Sequence, residues 1–119
     1  VTHISFAQQA VQDPELIDAR DVLLQGDIFQ YQGRYSKAIP LYKKISRNDS
    51  LYYRAQFEMA KCYLNEKEDS MCWVVAVLGT ELKSRIDADF YNIGGIALKE
   101  MKKYDAAIEL LDKGISMYP

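Results

Sequence analysis

Apolar side chains recur along this 119-residue chain at three-and-four spacing, and polar clusters interrupt them about every fifteen residues. That spacing puts apolar groups on one side of an α-helix, and no stretch sustains the period-two alternation of a half-buried strand. The first predicted helix opens at Asp13-Pro14-Glu15, where Asp13 can cap and Pro14 suits the first helical position. It runs to about Gln32, because Gly33 is a left-handed stop signal. The second spans Ser36 to Arg47, with Pro40 tolerable only near a first turn. Asn48-Asp49-Ser50 breaks it and caps the third, Leu51 to Asn65. A fourth follows from Ser70 to Lys83, a fifth from Asp87 to Met101, and a sixth from Tyr104 to near Tyr118. Six helices joined by short turns predict an all-α stack.

The helices repeat. Gly26, Ala60 and Gly95 are small residues spaced 34 and 35 apart, and Phe29, Tyr63 and Leu98 follow each by three. Ala38, Cys72 and Ala107 keep the same intervals, as do Tyr42, Ala76 and Leu111, then Ile45, Gly79 and Gly114. Five columns in one register, with a period near 34, resemble the tetratricopeptide repeat (TPR). The last copy matches most fully, through Gly95, Tyr104, Ala107, Leu111 and Pro119. The first follows through Gly26, Phe29, Gly33, Tyr35, Ala38 and Tyr42, while the second has Asp69 where an aromatic is usual. No tryptophan occupies the early helix position, and Ser50 and Ser84 replace the closing proline. The resemblance covers residues 19 to 119 and implies a right-handed α-α superhelix, a TPR-like solenoid. Its three helix-turn-helix repeats would occupy 19–52, 53–86 and 88–119, preceded by an N-terminal helical extension over 1–18.

The spacing has a physical reason. Antiparallel helices approach closely only where a small side chain admits the other backbone. Gly26 and Ala38 are expected to form such a notch, with Phe29 and Tyr42 filling the adjoining space. Each hairpin still leaves an apolar face that the next one covers.

Composition narrows the function classes. With 15 basic and 17 acidic side chains the net charge is −2, without the footprint of a general nucleic-acid binder. The longest apolar run, Met71 to Gly79, is too short to span a bilayer. One histidine and two cysteines leave too few soft ligands for a structural zinc site, and no cofactor motif is present. Residues 1–12 have two readings: a helix stub with Ile4, Ala7 and Val11, or a signal-peptide remnant cut after Ser5-Phe6-Ala7. The first is compatible with a cytoplasmic protein and the second implies a periplasmic or secreted one.

The chemistry-bearing groups read as structural, so no enzyme is expected. His3 has no nucleophile or orienting partner in a motif that would use it. Gly94-Gly95 sits mid-helix without a preceding strand, which suits close packing rather than a phosphate cradle. Glu66/Glu68 and Asp87/Asp89 fall at helix starts, where carboxylates complement the macrodipole. Cys62 and Cys72 read as small apolar packers rather than a disulfide.

What remains is surface. In TPR arrays the first helix of each repeat lines a concave groove, so the resemblance implies a non-enzymatic protein–protein interaction module, a scaffold or adaptor for a protein or peptide partner. Carried onto this chain, the groove would present Arg20, Leu23, Asp27, Gln30 and Tyr31, then Arg54, Phe57, Glu58, Lys61, Leu64 and Asn65. The last repeat would add Asp89, Asn92, Ile93, Ile96, Lys99 and Glu100. Mixed cations and apolar groups suit a peptide with acidic and hydrophobic residues. The carboxylate clamp of chaperone-binding TPR domains is not expected, because Leu23, Asp27, Glu58, Asp89 and Ile93 stand at its positions.

Two apolar patches complete the picture. Trp73-Val74-Val75-Ala76-Val77-Leu78 is predicted to pack, with Val74 and Val75 toward the convex side. The last helix bares Ile108, Leu111 and Ile115 without a polar capping helix, which predicts a longer array, a homo-oligomer or a partner on that face. A chaperone for a secreted substrate is a further alternative among short TPR proteins.

Overall fold

The computed structural model describes residues 18–119, and the readings of His3, Ser5-Phe6-Ala7, Ile4, Val11, Asp13 and Pro14 lie outside them. The described residues form six α-helices and no strand: α1 Ala19–Tyr31, α2 Tyr35–Lys43, α3 Tyr52–Asn65, α4 Asp69–Thr80, α5 Asp87–Glu100 and α6 Tyr104–Met117. Asp18 is extended (φ −80, ψ 105) and its Oδ1 accepts from the Arg20 amide at 3.1 Å, so it caps α1. Within the described residues the first helix thus begins at Ala19, while the start expected at Asp13 lies outside them.

The other boundaries also shift. α2 ends at Lys43 rather than Arg47, and Pro40 sits in its second turn, where it removes the amide that would bond the Ser36 carbonyl. Asp49 does not cap α3 directly. Its Oδ1 accepts from the Leu51 amide at 2.8 Å, and Leu51 is the N-cap without a side-chain bond. α4 stops at Thr80 instead of Lys83, and Lys83 adopts φ 50 in the connecting loop.

The turn inside each hairpin is the same structure three times. Gly33, Lys67 and Lys102 have φ of 74, 63 and 60. After each, the next amide bonds back five residues: Arg34 to the Phe29 carbonyl at 2.8 Å, Glu68 to Tyr63 and Lys103 to Leu98, both at 2.9 Å. This is a Schellman ending, which satisfies helix-end carbonyls through a left-handed residue. Glycine takes that conformation freely, whereas an L side chain gives up about 1–2 kcal/mol.

Each helix packs on its chain neighbours, and in addition α1 meets α3 and α3 meets α5. Among the described residues no such contact joins α2 to α4 or α4 to α6. The odd helices thus form an inner row and the even helices an outer, splayed row, so the stack curves toward α1, α3 and α5.

The repeat columns meet face to face across each hairpin. A Cβ on Gly26 would lie 2.6 Å from the Tyr42 ring, and one on Gly95 would lie 2.5 Å from the Leu111 side chain. In the middle hairpin both columns are alanine, and Ala60 and Ala76 are fully buried. Glycine against a large residue and alanine against alanine fill the same gap. The notch at Gly26 therefore receives Tyr42 itself, while Ala38 is fully buried and Phe29 only half-buried beneath the Arg34 guanidinium, 4.9 Å from its ring centroid. Tyr63, Cys72, Leu98 and Ala107 are buried and Leu111 half-buried. Between repeats, Gly79 of α4 accommodates the fully buried Phe90 ring of α5. Gly94 lies against Leu110 and Ala76, so it serves close packing.

Candidate functional site

The inner row carries most of the groove residues, but two of them belong to the core. Leu23 is 7% exposed and Ile93 6% exposed, so neither lines a groove. Both have an interior-facing position in the helix that the repeat columns alone do not distinguish from a rim position. Phe57 is half-buried and packs edge-to-face on Phe90, with centroids 5.6 Å apart, which makes it a joint between α3 and α5. Arg20, Tyr31, Arg54, Asn65, Asn92, Ile96 and Lys99 are exposed, and Asp27, Gln30, Lys61 and Leu64 are half-buried.

Between α1 and α3 the polar groups bind one another. The Tyr42 hydroxyl reaches through the hairpin and donates to Asp27 Oδ1 at 2.7 Å. Gln30 Nε2 donates to that hydroxyl at 3.0 Å and to Glu58 Oε2 at 2.7 Å. Lys61 Nζ meets Glu58 Oε2 at 2.9 Å and lies 5.3 Å from the Phe57 ring centroid, while Arg54 stands 4.0 Å from Asp27. Asn65 donates to the Lys61 carbonyl at 2.9 Å, and Lys99 sits 4.0 Å from Glu100. Three of the cations expected on the groove floor, Arg54, Lys61 and Lys99, thus have a carboxylate within 4.0 Å. Sequence spacing placed these residues on shared faces, but the Gln30–Glu58 bond joins different repeats and had no signal in one helix.

Burial holds the Tyr42 phenol and the two thiols in their neutral forms. Burial pushes the Tyr42 hydroxyl well above the usual tyrosine range, and its hydrogen bond to Asp27 adds to the shift. Burial likewise pushes the Cys62 and Cys72 thiols up to about 12, with Glu58 adding at the first and Asp69 at the second. Both cysteines are free and buried, and protonated thiols of this kind are poor nucleophiles. Among the described residues no three His, Cys, Asp or Glu side chains gather as a metal site.

Asp87 opens α5, at the helix start expected of it, but it is buried rather than solvent-facing. It is 1% exposed, Tyr118 donates to its Oδ2, and its Oδ1 has no partner. That bond holds the hydroxyl of Tyr118 above its ordinary range. Glu68 is the N-cap of α4, whereas Glu66 is the C-cap of α3 and not at a helix start as expected; both are exposed. Among the described residues Asp87 is the buried carboxylate, and Tyr42, Tyr63 and Tyr91 are the buried tyrosines.

The apolar surface divides. Val75 is 6% exposed and turned inward, contrary to the convex placement expected of it, whereas Trp73, Val74 and Leu78 are exposed on α4. On α6, Ile108 and Ile115 are 58% and 65% exposed. No helix among the described residues is long and apolar enough to cross a membrane.

Residues 88–119, the α5–α6 hairpin, match the family model described as tetratricopeptide repeat. That hairpin is similar to a tetratricopeptide repeat (TPR), and the six packed helices of the described residues are consistent with a TPR-like helical repeat. It is 25% identical over 96 residues to a curated relative, the tetratricopeptide repeat protein 21 homolog of Caenorhabditis elegans. That alignment covers 81% of this chain and 7% of the worm protein's length. TPR repeats generally mediate protein–protein interaction, and the family is one of non-catalytic interaction modules.

Proposed function

We propose that this TPR-like domain acts as a non-enzymatic scaffold or adaptor that holds a segment of a protein partner along the inner row of helices. The reading divides the chain into repeats at 19–52, 53–86 and 88–119, each contributing one inner helix. The observation that supports it is the row itself: α1, α3 and α5 pack side by side, and the outer helices do not. Tyr31, 95% exposed, and Ile96, 42% exposed, lie on this row as apolar anchors. Arg20 and Asn92 offer exposed polar groups on the same row. Because Arg54, Lys61 and Lys99 already have acidic neighbours, the favoured partner segment offers apolar side chains with hydrogen-bonding groups between them, rather than a run of acids.

The test is affinity capture of partners, followed by calorimetry with each purified partner. Tyr31→Ser with Ile96→Asp should weaken binding at least about tenfold, the loss expected when interface anchors are removed. Equal affinity of the doubly substituted protein rejects the inner row as the binding face. A second reading, self-association through α6, is favoured by the exposure of Ile108 and Ile115. Under that reading light scattering shows a dimer that Ile115→Asp converts to monomer.

A further inference from the structure

A cleft of about 290 Å³ lies between the α2–α3 and α4–α5 loops, against the first turn of α3. Arg47 and Asp49 of one loop, Arg85 of the other, and Tyr52, Tyr53 and Leu82 line it. Its two arginines differ from the cations of the inner row. Arg54, Lys61 and Lys99 each have a carboxylate within reach, whereas among the described residues Arg47 and Arg85 have none. Asp49 stands in the same cleft, but its Oδ1 is engaged by the Leu51 amide at 2.8 Å. Tyr52 and Tyr53 form the first turn of the fourteen-residue α3, whose amide end adds positive potential on the same side.

We infer that this cleft binds a phosphorylated side chain of a protein partner. A guanidinium presents a planar fork of donors, and one fork saturates a carboxylate. A phosphate monoester carries close to two negative charges and three acceptor oxygens, so it satisfies one fork and still accepts from the second. The Asp49 carboxylate offsets part of the arginine field, so both guanidiniums are needed to hold a dianion. Leu82 and the Tyr52 ring supply apolar surface for the carbon part of the side chain. The volume suits one side chain, being at or below the lower end of small-molecule sites. An anionic membrane is disfavoured because the chain is itself net acidic and Glu81 is exposed beside the cleft. This site shares no residue with the proposed groove and stands whether or not the groove reading does.

The experiment is a heteronuclear NMR titration of the full chain with three capped glycine-flanked peptides, carrying phosphoserine, phosphotyrosine or glutamate. The amides of the two loops should shift with a phosphopeptide, and the glutamate peptide should bind at least about tenfold more weakly, as expected where both forks are used. Arg47→Gln and Arg85→Gln should each weaken binding about tenfold or more, and Arg85→Lys, which keeps the charge without the fork, should weaken it too. Thermal melts check that these exposed substitutions leave the fold intact. The inference is overturned by absence of loop shifts with both phosphopeptides, by equal response to glutamate, or by unchanged affinity in the double glutamine variant. Sedimentation with phosphoinositide vesicles but no response to either phosphopeptide overturns it in favour of a membrane.

Discussion

The Tyr42 hydroxyl donates to Asp27 at 2.7 Å while its ring lies against the backbone of Gly26, so one side chain both fills the first hairpin and reaches its far surface. The ring is large because the facing residue is glycine, and the hydroxyl is satisfied because Asp27 lies one position beyond that glycine. Packing and the polar network of the inner row are therefore coupled through a single residue.

Tyr42→Phe separates the two roles. The ring still fills the notch, but Asp27 and Gln30 lose their common partner, and stability should fall by about 1–2 kcal/mol, the range for a hydrogen bond to a charged group. Asp27 is partly exposed, so water replaces some of the loss. Urea unfolding at neutral pH measures it, and an unchanged midpoint would show that the bond contributes nothing net.

The helix glycines should rank by what they face. Gly26→Ala and Gly79→Ala drive a methyl into the rings of Tyr42 and Phe90, both fully buried, and should cost about 1–3 kcal/mol despite alanine's better helix propensity. Gly95→Ala meets the flexible end of Leu111, which is half-buried and can turn aside, so its cost should be smaller. Denaturation midpoints of the three variants give the order; a Gly95→Ala protein less stable than the other two would contradict it.

The repeated left-handed turn predicts the opposite sign. Lys67→Gly and Lys102→Gly remove a side chain from φ 63 and φ 60, and each should stabilise by about 1 kcal/mol. Gly33→Ala should destabilise by a similar amount, although nothing lies within 4 Å of the added methyl. Differential scanning calorimetry should therefore show two melting temperatures raised and one lowered. A common sign for all three would refute the backbone argument.

The buried thiols make the fold alkali-sensitive. Burial raises Cys62 and Cys72 from 9.0 to about 12, so below pH 9.0 both folded and unfolded chains keep the protons and stability is undiminished. Above it the unfolded chain releases them while the folded chain holds them, and stability falls by up to about 1.4 kcal/mol per pH unit for each thiol. Tyr42 adds to the decline above its ordinary 10.0. Urea midpoints from about pH 8 to about pH 11 should drop, and a Cys62→Ala, Cys72→Ala protein should show a shallower slope. Identical slopes would mean that the thiols are not the titrating groups.

Much of this was readable along the chain, and the failures share a cause. The intervals linking Gly26, Ala60 and Gly95, and those linking Tyr42, Ala76 and Leu111, announced hairpins of fixed length, and the structure pairs these two columns. Stepping 34 and 35 residues from Gly33 also reaches Lys67 and Lys102, so the left-handed turns were encoded, though lysine disguises them. Helix ends were less legible: α2 stops at Lys43 rather than Arg47 and α4 at Thr80 rather than Lys83, because capping and turn geometry depend on a few local bonds.

Periodicity in the amino-acid order was enough to establish helices, hairpins and a stack, since those follow from spacing within one or two turns and from the need to bury an apolar face. It did not distinguish Leu23 and Ile93, which are interior, from Tyr31 and Ile96, which are exposed. Nor did it reveal that Asp27 and Glu58 pair with Arg54 and Lys61, or that Arg47 and Arg85 line one cleft beside Asp49. Those outcomes depend on the angle at which one hairpin rests on the next. That angle arises from many packed contacts between segments distant in the chain, and no local pattern carries it.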